Sequence, residues 1–257
     1  MRILNGSATP EGLFEFLPRL DLIVQGYGLN ESIGNGICFA TIISKRHILT
    51  AAHCVNSGDF IRENSTTTNR RNYSIFIHYR EKGKEIIQKL KFLSIHTKYF
   101  FHPSFTTDMF ADIAIIEFPE GANLKILPIT LASNYVEKEG DMAIAAGYGI
   151  YKWHVNETSG NQYPESPIDL QNFTVFVHVN PDYSTPTIIA TSTYKKYADE
   201  GVSGGPLMIE RNGKFYQIGI AAIVLKINEN FVLNVYARLP FYCDWISKVT
   251  TDEFTFQ

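Results

Sequence analysis

Gly201-Val202-Ser203-Gly204-Gly205-Pro206-Leu207 sets one hydroxyl among glycines and directly ahead of an apolar run. Glycine admits backbone angles closed to other residues, so the stretch suits a sharp turn that lifts Ser203 clear and leaves backbone N–H groups free to face a ligand. A glycine-rich turn without chemistry is the plain alternative, and the segment alone does not choose. Two stretches upstream bear on the choice. In Thr50-Ala51-Ala52-His53-Cys54 the small alanines let the chain pack tightly around His53. Cys54 can tie that segment to Cys38 on the preceding strand and so fix the imidazole, which leaves Cys243 alone and reads as a buried small hydrophobe. Asp112-Ile113-Ala114-Ile115-Ile116 is an acid opening an apolar strand. By itself an aspartate there is a common turn or capping residue.

Further out, short β-rich runs alternate with turn signals, and helical periodicity is absent until the C-terminal stretch. Strands are expected at 20–24, 37–44, 47–50, 73–79, 85–95, 113–118, 142–146, 173–179, 206–209, 216–224 and 231–238. Lys45-Arg46 and Lys82-Gly83-Lys84 read as hairpin connections. Phe241, Trp245, Ile246 and Val249 fall on a helical spacing and predict an amphipathic helix at about 240–249. Polar, breaker-rich stretches at 56–72 and 150–171 are expected as exposed loops. The fold class is all-β, with a seam near residue 120 and a site in the cleft between two barrels.

His53, then Asp112, then Ser203 is the order of the chymotrypsin-like serine proteases, and the chain resembles that family over nearly its whole length. Arg2-Ile3-Leu4-Asn5-Gly6 looks like an activation site followed by a mature N-terminus at Ile3, and His102-Pro103-Ser104-Phe105 like the segment that precedes the family's aspartate strand. Gly147-Tyr148-Gly149 is similar to the family's Gly-Trp-Gly, and Tyr242 to Ile246 to the start of its terminal helix. The resemblance implies two six-stranded antiparallel β-barrels and a C-terminal helix, within a peptidase domain over 3–249. The barrels would occupy about 20–120 and 121–238. It further implies a catalytic triad of His53, Asp112 and Ser203, with an oxyanion hole made by the N–H groups of Gly201 and Ser203. The implied activity is that of a serine endopeptidase working through an acyl-enzyme on protein or peptide substrates. The alternative reading is a catalytically silent protease-fold protein that binds partners through the cleft.

Two departures bear on that choice. The family's aspartate before the serine pairs with the freed N-terminal amino group, but here the residue is Val202. Asp199 or Glu200 substitutes, the turn is ordered without the N-terminus, or it is not ordered. The substrate pocket aligns with Tyr197, Ala222, Ile223, Val224 and Asn234, none of them acidic, so Lys or Arg is not expected at the cleaved position. Val224 and Asn234 narrow the walls toward small or medium apolar residues.

Composition bounds the partners. A content of 45% hydrophobic and 19% charged residues is globular, and a net charge of −3 carries no nucleic-acid footprint. The basic residues Arg70, Arg71 and those within 82–91 read as solvated faces. No run approaches the roughly 18 apolar residues of a membrane span, and residues 1–20 lack a signal-peptide pattern, as in a mature form or fragment. Asn-x-Ser/Thr patterns at Asn5, Asn30, Asn64, Asn72, Asn156 and Asn172 lean toward a glycosylated, secreted protein. No metal-ligand spacing or nucleotide loop occurs, so no cofactor is expected. The expected protein is a monomer whose other partner is a protein inhibitor.

Overall fold

Phe173, Val175 and Val177 are buried while Thr174 and Phe176 are exposed, the period of two that a strand shows when one face lies on a core. This pattern recurs through the computed structural model, which describes residues 7–25, 32–55, 72–81, 84–91, 98–105, 111–148, 152–155, 162–165, 170–179, 182, 184–194, 202–228, 231–251 and 254–257. The first elements are β1 (Ser7–Ala8), β2 (Arg19–Gln25), β3 (Ser32–Ile42), β4 (His47–Thr50), a one-turn helix α1 (Ala52–Val55), β5 (Asn72–Glu81) and β6 (Lys84–Lys91). Next come β7 (Lys98–Phe101), β8 (Ala114–Glu117), β9 (Thr130–Leu131), β10 (Met142–Gly147), β11 (Lys152–Val155) and β12 (Gln162–Glu165). The last are β13 (Gln171–His178), β14 (Ile188–Tyr194), β15 (Pro206–Arg211), β16 (Lys214–Lys226), β17 (Phe231–Arg238) and α2 (Leu239–Thr250).

The all-β, two-barrel expectation holds. In the C-terminal half, β13-β10-β15-β16-β17-β14 are paired in that order and β14 pairs back to β13, which closes a six-stranded ring. In the N-terminal half the order is β6-β5-β2-β3-β4-β8-β7. Its seven strands include β7, which was not foreseen. Strands β2 to β8 belong to this sheet and those from β10 onward to the ring, while β11 and β12 form a separate hairpin. The pair β11–β12 lies inside the stretch expected to be a loop, because Trp153, Val155 and Tyr163 supply β-forming side chains within it.

Polar contacts join the barrels across their shared core. Thr41 Oγ1 on β3 donates to Gln217 Oε1 on β16 at 2.8 Å, and Gln217 Nε2 donates onward to the Gly219 carbonyl. The short strand β9 runs parallel to β16, and Phe256 bridges to Leu131 on its other side. Helix α2 starts with Pro240 in its first turn, where a missing N–H is harmless, and closes through Thr251 in the left-handed conformation. Its buried face is Leu239, Tyr242, Cys243, Ile246 and Thr250. Phe241, assigned to the apolar face from sequence, is exposed instead, because Tyr242 and Cys243 turn toward the barrels.

Candidate active site

Strand β4 ends at Thr50, and two fully buried alanines carry the chain into α1, so His53 emerges from the edge of the N-terminal core. Asp112 reaches the same point from the start of β8, beside Ala111, which has a positive φ of 52°. Backbone N–H of His53 donates to Asp112 Oδ1 at 2.8 Å, and ring Nδ1 lies 2.6 Å from Oδ2. The carboxylate side chain is fully buried and the imidazole 24% exposed. A carboxylate at Nδ1 selects the tautomer with its proton there, which leaves Nε2 with a lone pair. The disulfide Cys38–Cys54 anchors the histidine turn to β3, as expected from sequence.

Residue 203 sits on a turn clamped from both barrels. The Ser203 carbonyl accepts the Phe39 N–H of β3 at 2.8 Å, Gly204 N–H donates to the Ala221 carbonyl of β16 at 2.8 Å, and Ala221 N–H donates to Gly205 at 2.8 Å. Gly204 has φ +80°, and a Cβ there would lie 2.1 Å from the Phe39 carbonyl oxygen, so this position admits only glycine. Cys38 and Phe39 are sequence neighbours, and the same short piece of β3 therefore holds both the histidine turn and the serine turn. Among the described residues, Ser203 Oγ and His53 Nε2 are not hydrogen-bonded. Bonds of this kind are commonly long without substrate and tighten on binding.

Val202 is 8% exposed and packs in the interior of the closed ring with Phe173, Ala145 and Tyr236. Gly147 brings the backbone close to it: a Cβ on Gly147 would meet Val202 Cγ1 at 3.5 Å. Tyr148 stacks on Phe39 with centroids 5.8 Å apart. The Gly147-Tyr148 pair thus supports the serine turn through apolar contact.

Of the expected pocket residues, Ala222 lies at an irregularity of β16 between Ala221 and Ile223, where the register against β17 shifts. Ala222 is buried and Ile223 exposed. Both line a cavity of about 310 Å³ with Asp112, Leu225, Val235 and Tyr242. Burial and the charge of Asp112 push the Tyr242 phenol up to about 12, so it stays protonated. Val224 pairs with Asn234, and Asn234 pairs on its other side with Thr191 of β14. Among the described residues, neither polar atom of the Asn234 side chain, nor the Thr191 hydroxyl, has a hydrogen-bond partner, although all three are buried. Thr191 lies near enough to the Tyr236 phenol to offset part of the rise that burial causes in its pKa, without a bond of normal geometry. Thr191 was not singled out from sequence; it comes into view only through its register opposite Asn234.

Gly201, Tyr197, Ile3, Asp199, Glu200, Gly149, Asn5, Asn30, Asn64 and Asn156 lie outside the described residues. The Asn172 amide donates to Thr9 Oγ1 at 2.9 Å, so this acceptor nitrogen is already engaged. Cys243 is a free, buried thiol that burial and neighbouring Asp244 push up to about 12, which makes it a poor nucleophile. Cys38, His53 and Cys54 bring ligand-type atoms within 4.8 Å of one another, but two are disulfide sulfurs, leaving a single imidazole. Among the described residues no helix is long and apolar enough to cross a membrane.

Comparison with known proteins bears on this geometry. A family model described as trypsin matches residues 25–246. "Serine protease SSP1" of Scolopendra subspinipes is 26% identical over 97% of the chain and 83% of its own length. "Chymase" of Canis lupus familiaris is 27% identical over 82% of the chain and 78% of its own length. "Suppressor of tumorigenicity 14 protein homolog" of Bos taurus is 28% identical over 95% of the chain, which spans only 28% of that longer protein.

Proposed function

The chain belongs to the trypsin family of serine proteases, and from that premise we propose that it is a serine endopeptidase acting through His53, Asp112 and Ser203. The observation that carries the reading is the doubly bonded contact of His53 with buried Asp112, 2.6 and 2.8 Å, tied through Cys54, Cys38 and Phe39 to the Ser203 turn. Ser203 Oγ attacks the scissile carbonyl while His53 Nε2 takes its proton, and Asp112 stabilises the imidazolium that forms. The same nitrogen returns the proton to the departing amine, leaving an acyl-enzyme that water hydrolyses with His53 as base. Backbone N–H groups of Gly201 and Ser203 hold the oxyanion, a contribution of roughly 3 kcal/mol for each donor.

The turn is ordered by packing of Val202 and not by an ion pair, which its apolar surroundings support. Activity then needs no acidic partner at that position. Substrates are proteins or peptides, bound along Ala222, Ile223 and Val224 and in a pocket that includes Tyr197 and Asn234. The disulfide and the Asn-x-Ser/Thr patterns favour a secreted, glycosylated monomer with a peptidase domain over 3–249 that a protein inhibitor can block.

A fluorophosphonate probe tests the reading. Covalent labelling at Ser203, abolished by Ser203→Ala and strongly suppressed by His53→Ala, is the expected result. Folded protein that takes no label would overturn it.

A further inference from the structure

Ring nitrogen Nε2 of His53, the atom free to take a proton, lies 3.7 Å from Cys54 Sγ. Together with Cys38 these residues bring three ligand-type atoms within 4.8 Å of one another, the one such group found among the described residues. Cys38 comes from β3, and His53 and Cys54 from α1. The Cys38–Cys54 bridge is not all that holds the two elements together. Ala40 and Thr41 pair with Thr50 and Leu49, Thr50 Oγ1 donates to the Phe39 carbonyl, Phe39 N–H donates to Ser203, and Cys54 N–H donates to Ala51. Opening the bridge leaves these bonds in place and sets two thiols beside one imidazole.

Two thiolates and an imidazole are a ligand set for zinc, with Zn–S bonds of about 2.3 Å and Zn–N bonds of about 2.0 Å; at a tetrahedral angle these place sulfur and nitrogen roughly 3.6 Å apart and two sulfurs roughly 3.8 Å apart. The edge from Cys54 Sγ to His53 Nε2 already has that length. Rotation about the Cα–Cβ bonds, from Cα atoms 6.0 Å apart, lets the freed sulfurs part to the other edge. The second shell is also present. Asp112 Oδ2 lies 2.6 Å from Nδ1, and a carboxylate on that nitrogen fixes the tautomer and raises the basicity of a metal-bound imidazole. Cys38 and Cys54 are buried while the His53 side chain is 24% exposed, so the ion enters past the imidazole and keeps water as its fourth ligand there. Soft thiolates favour zinc over magnesium or calcium.

We propose that the reduced protein holds one zinc ion on Cys38, Cys54 and His53, and that this ion silences the enzyme by occupying Nε2. The silencing rests on the endopeptidase reading; the ion site does not. A dithiol reductant supplies two electrons and two protons, closes on itself as a disulfide and leaves Cys38 and Cys54 as thiols. Zinc then displaces both thiol protons to solvent and takes the Nε2 lone pair, with no further electron transfer. While the ion is bound, Nε2 cannot accept the Ser203 proton. Exchange with a disulfide oxidant takes the two electrons back, closes the bridge and ejects the ion. The same two cysteines thus set two states, one with the bridge closed and the base free, the other with metal bound and the base blocked.

The test reads the ion and the serine separately. Protein is reduced with a dithiol, freed of it by gel filtration under nitrogen, and compared with the oxidised form. Cobalt(II), a spectroscopic stand-in for zinc, should give a thiolate-to-cobalt charge-transfer band that saturates at one equivalent in the reduced protein and is absent from the oxidised one. Zinc should bleach the band, and the circular dichroism of the zinc-loaded form should match that of the oxidised protein. Cys243→Ser should leave the band unchanged, Cys38→Ser should remove most of it, and His53→Ala should weaken zinc binding at least as much as Asp112→Asn, about 10- to 100-fold. Fluorophosphonate should label Ser203 in reduced, zinc-free protein, stop when one equivalent of zinc is added and resume with a chelator, while oxidised protein labels at the same zinc concentration. Absence of the cobalt band, zinc affinity undiminished in His53→Ala, or a reduced form that unfolds even with zinc present would each overturn the proposal. So would labelling that zinc leaves untouched, or a reduced protein already silent before zinc is added. A cobalt band that depends on His53, in protein that no condition labels, would sink the endopeptidase reading and leave the ion site standing.

Discussion

Both oxygens of Asp112 are engaged by His53, whereas among the described residues neither polar atom of the Asn234 side chain has a partner, although both Asp112 and Asn234 are buried. The first corner belongs to the N-terminal barrel and is complete before any substrate arrives. The second lies in the closed C-terminal ring, on the wall that faces its apolar core. The contrast is between a carboxylate that is fully hydrogen-bonded and an amide that is not. A group that steers proton transfer must already be oriented when the reaction starts, because reorganisation during the reaction raises the barrier.

Breaking the filled corner should give the largest effect. Asp112→Asn puts an amide donor against Nδ1, which favours the tautomer with its proton on Nε2 and removes the base. The turnover number kcat should fall about 10⁴-fold, the size usual for this exchange in a Ser-His-Asp triad, with little change in peptide binding. A loss below about tenfold in steady-state assays would mean that the pair does not drive the chemistry.

Val202→Asp sharpens the contrast on the other side. An unpaired amide is tolerated in the ring interior, but an unpaired carboxylate should lower stability by roughly 3 to 5 kcal/mol at neutral pH. Burial raises the new carboxyl above its ordinary range, so the penalty is full above the folded-state value. It fades as pH falls toward the unfolded one, where both states are protonated. Urea melts at acid and neutral pH check this. No loss at neutral pH would mean that a cation reaches residue 202, and that the turn is held by an ion pair after all.

The smallest effect lies at His102, whose ring packs edge-on against Tyr242 and Trp245 at 5.1 and 5.4 Å. Burial lowers its pKa, so the unfolded chain takes up a proton first as pH falls below about 6.5. Stability should be full above that pH, decline through the folded-state value and level off below it. Comparing the melting temperature of wild type and His102→Phe across this range should show the decline in the former and its absence in the latter. A parallel pair of curves would assign the acid sensitivity to other groups.

Much of the fold was legible because strands leave a period of two and because turn residues cluster. The segments 47–50 and 231–238 were read to the residue, and the Cys38–Cys54 bridge also followed from the sequence. Strand β14 was missed, since Thr191, Ser192 and Thr193 blur the alternation that would have marked it. That omission hid the strand that closes the ring and, with it, Thr191. Of the candidate site, the residue types at 53, 112 and 203 announced themselves through their neighbours. The unpaired state of Asn234 could not, because whether an amide finds a partner is decided by cross-strand register and not by its own sequence context.

Ser203 stands in the C-terminal half of the sequence, yet its carbonyl is held by β3 of the other barrel, while the very next N–H is held by β16. The serine is therefore a pivot between the two bodies. If they rock against each other, the axis passes close to this turn, and displacement grows with distance from it. The Ser203 turn and the His53 turn, joined to the same few residues of β3, would then keep their mutual placement.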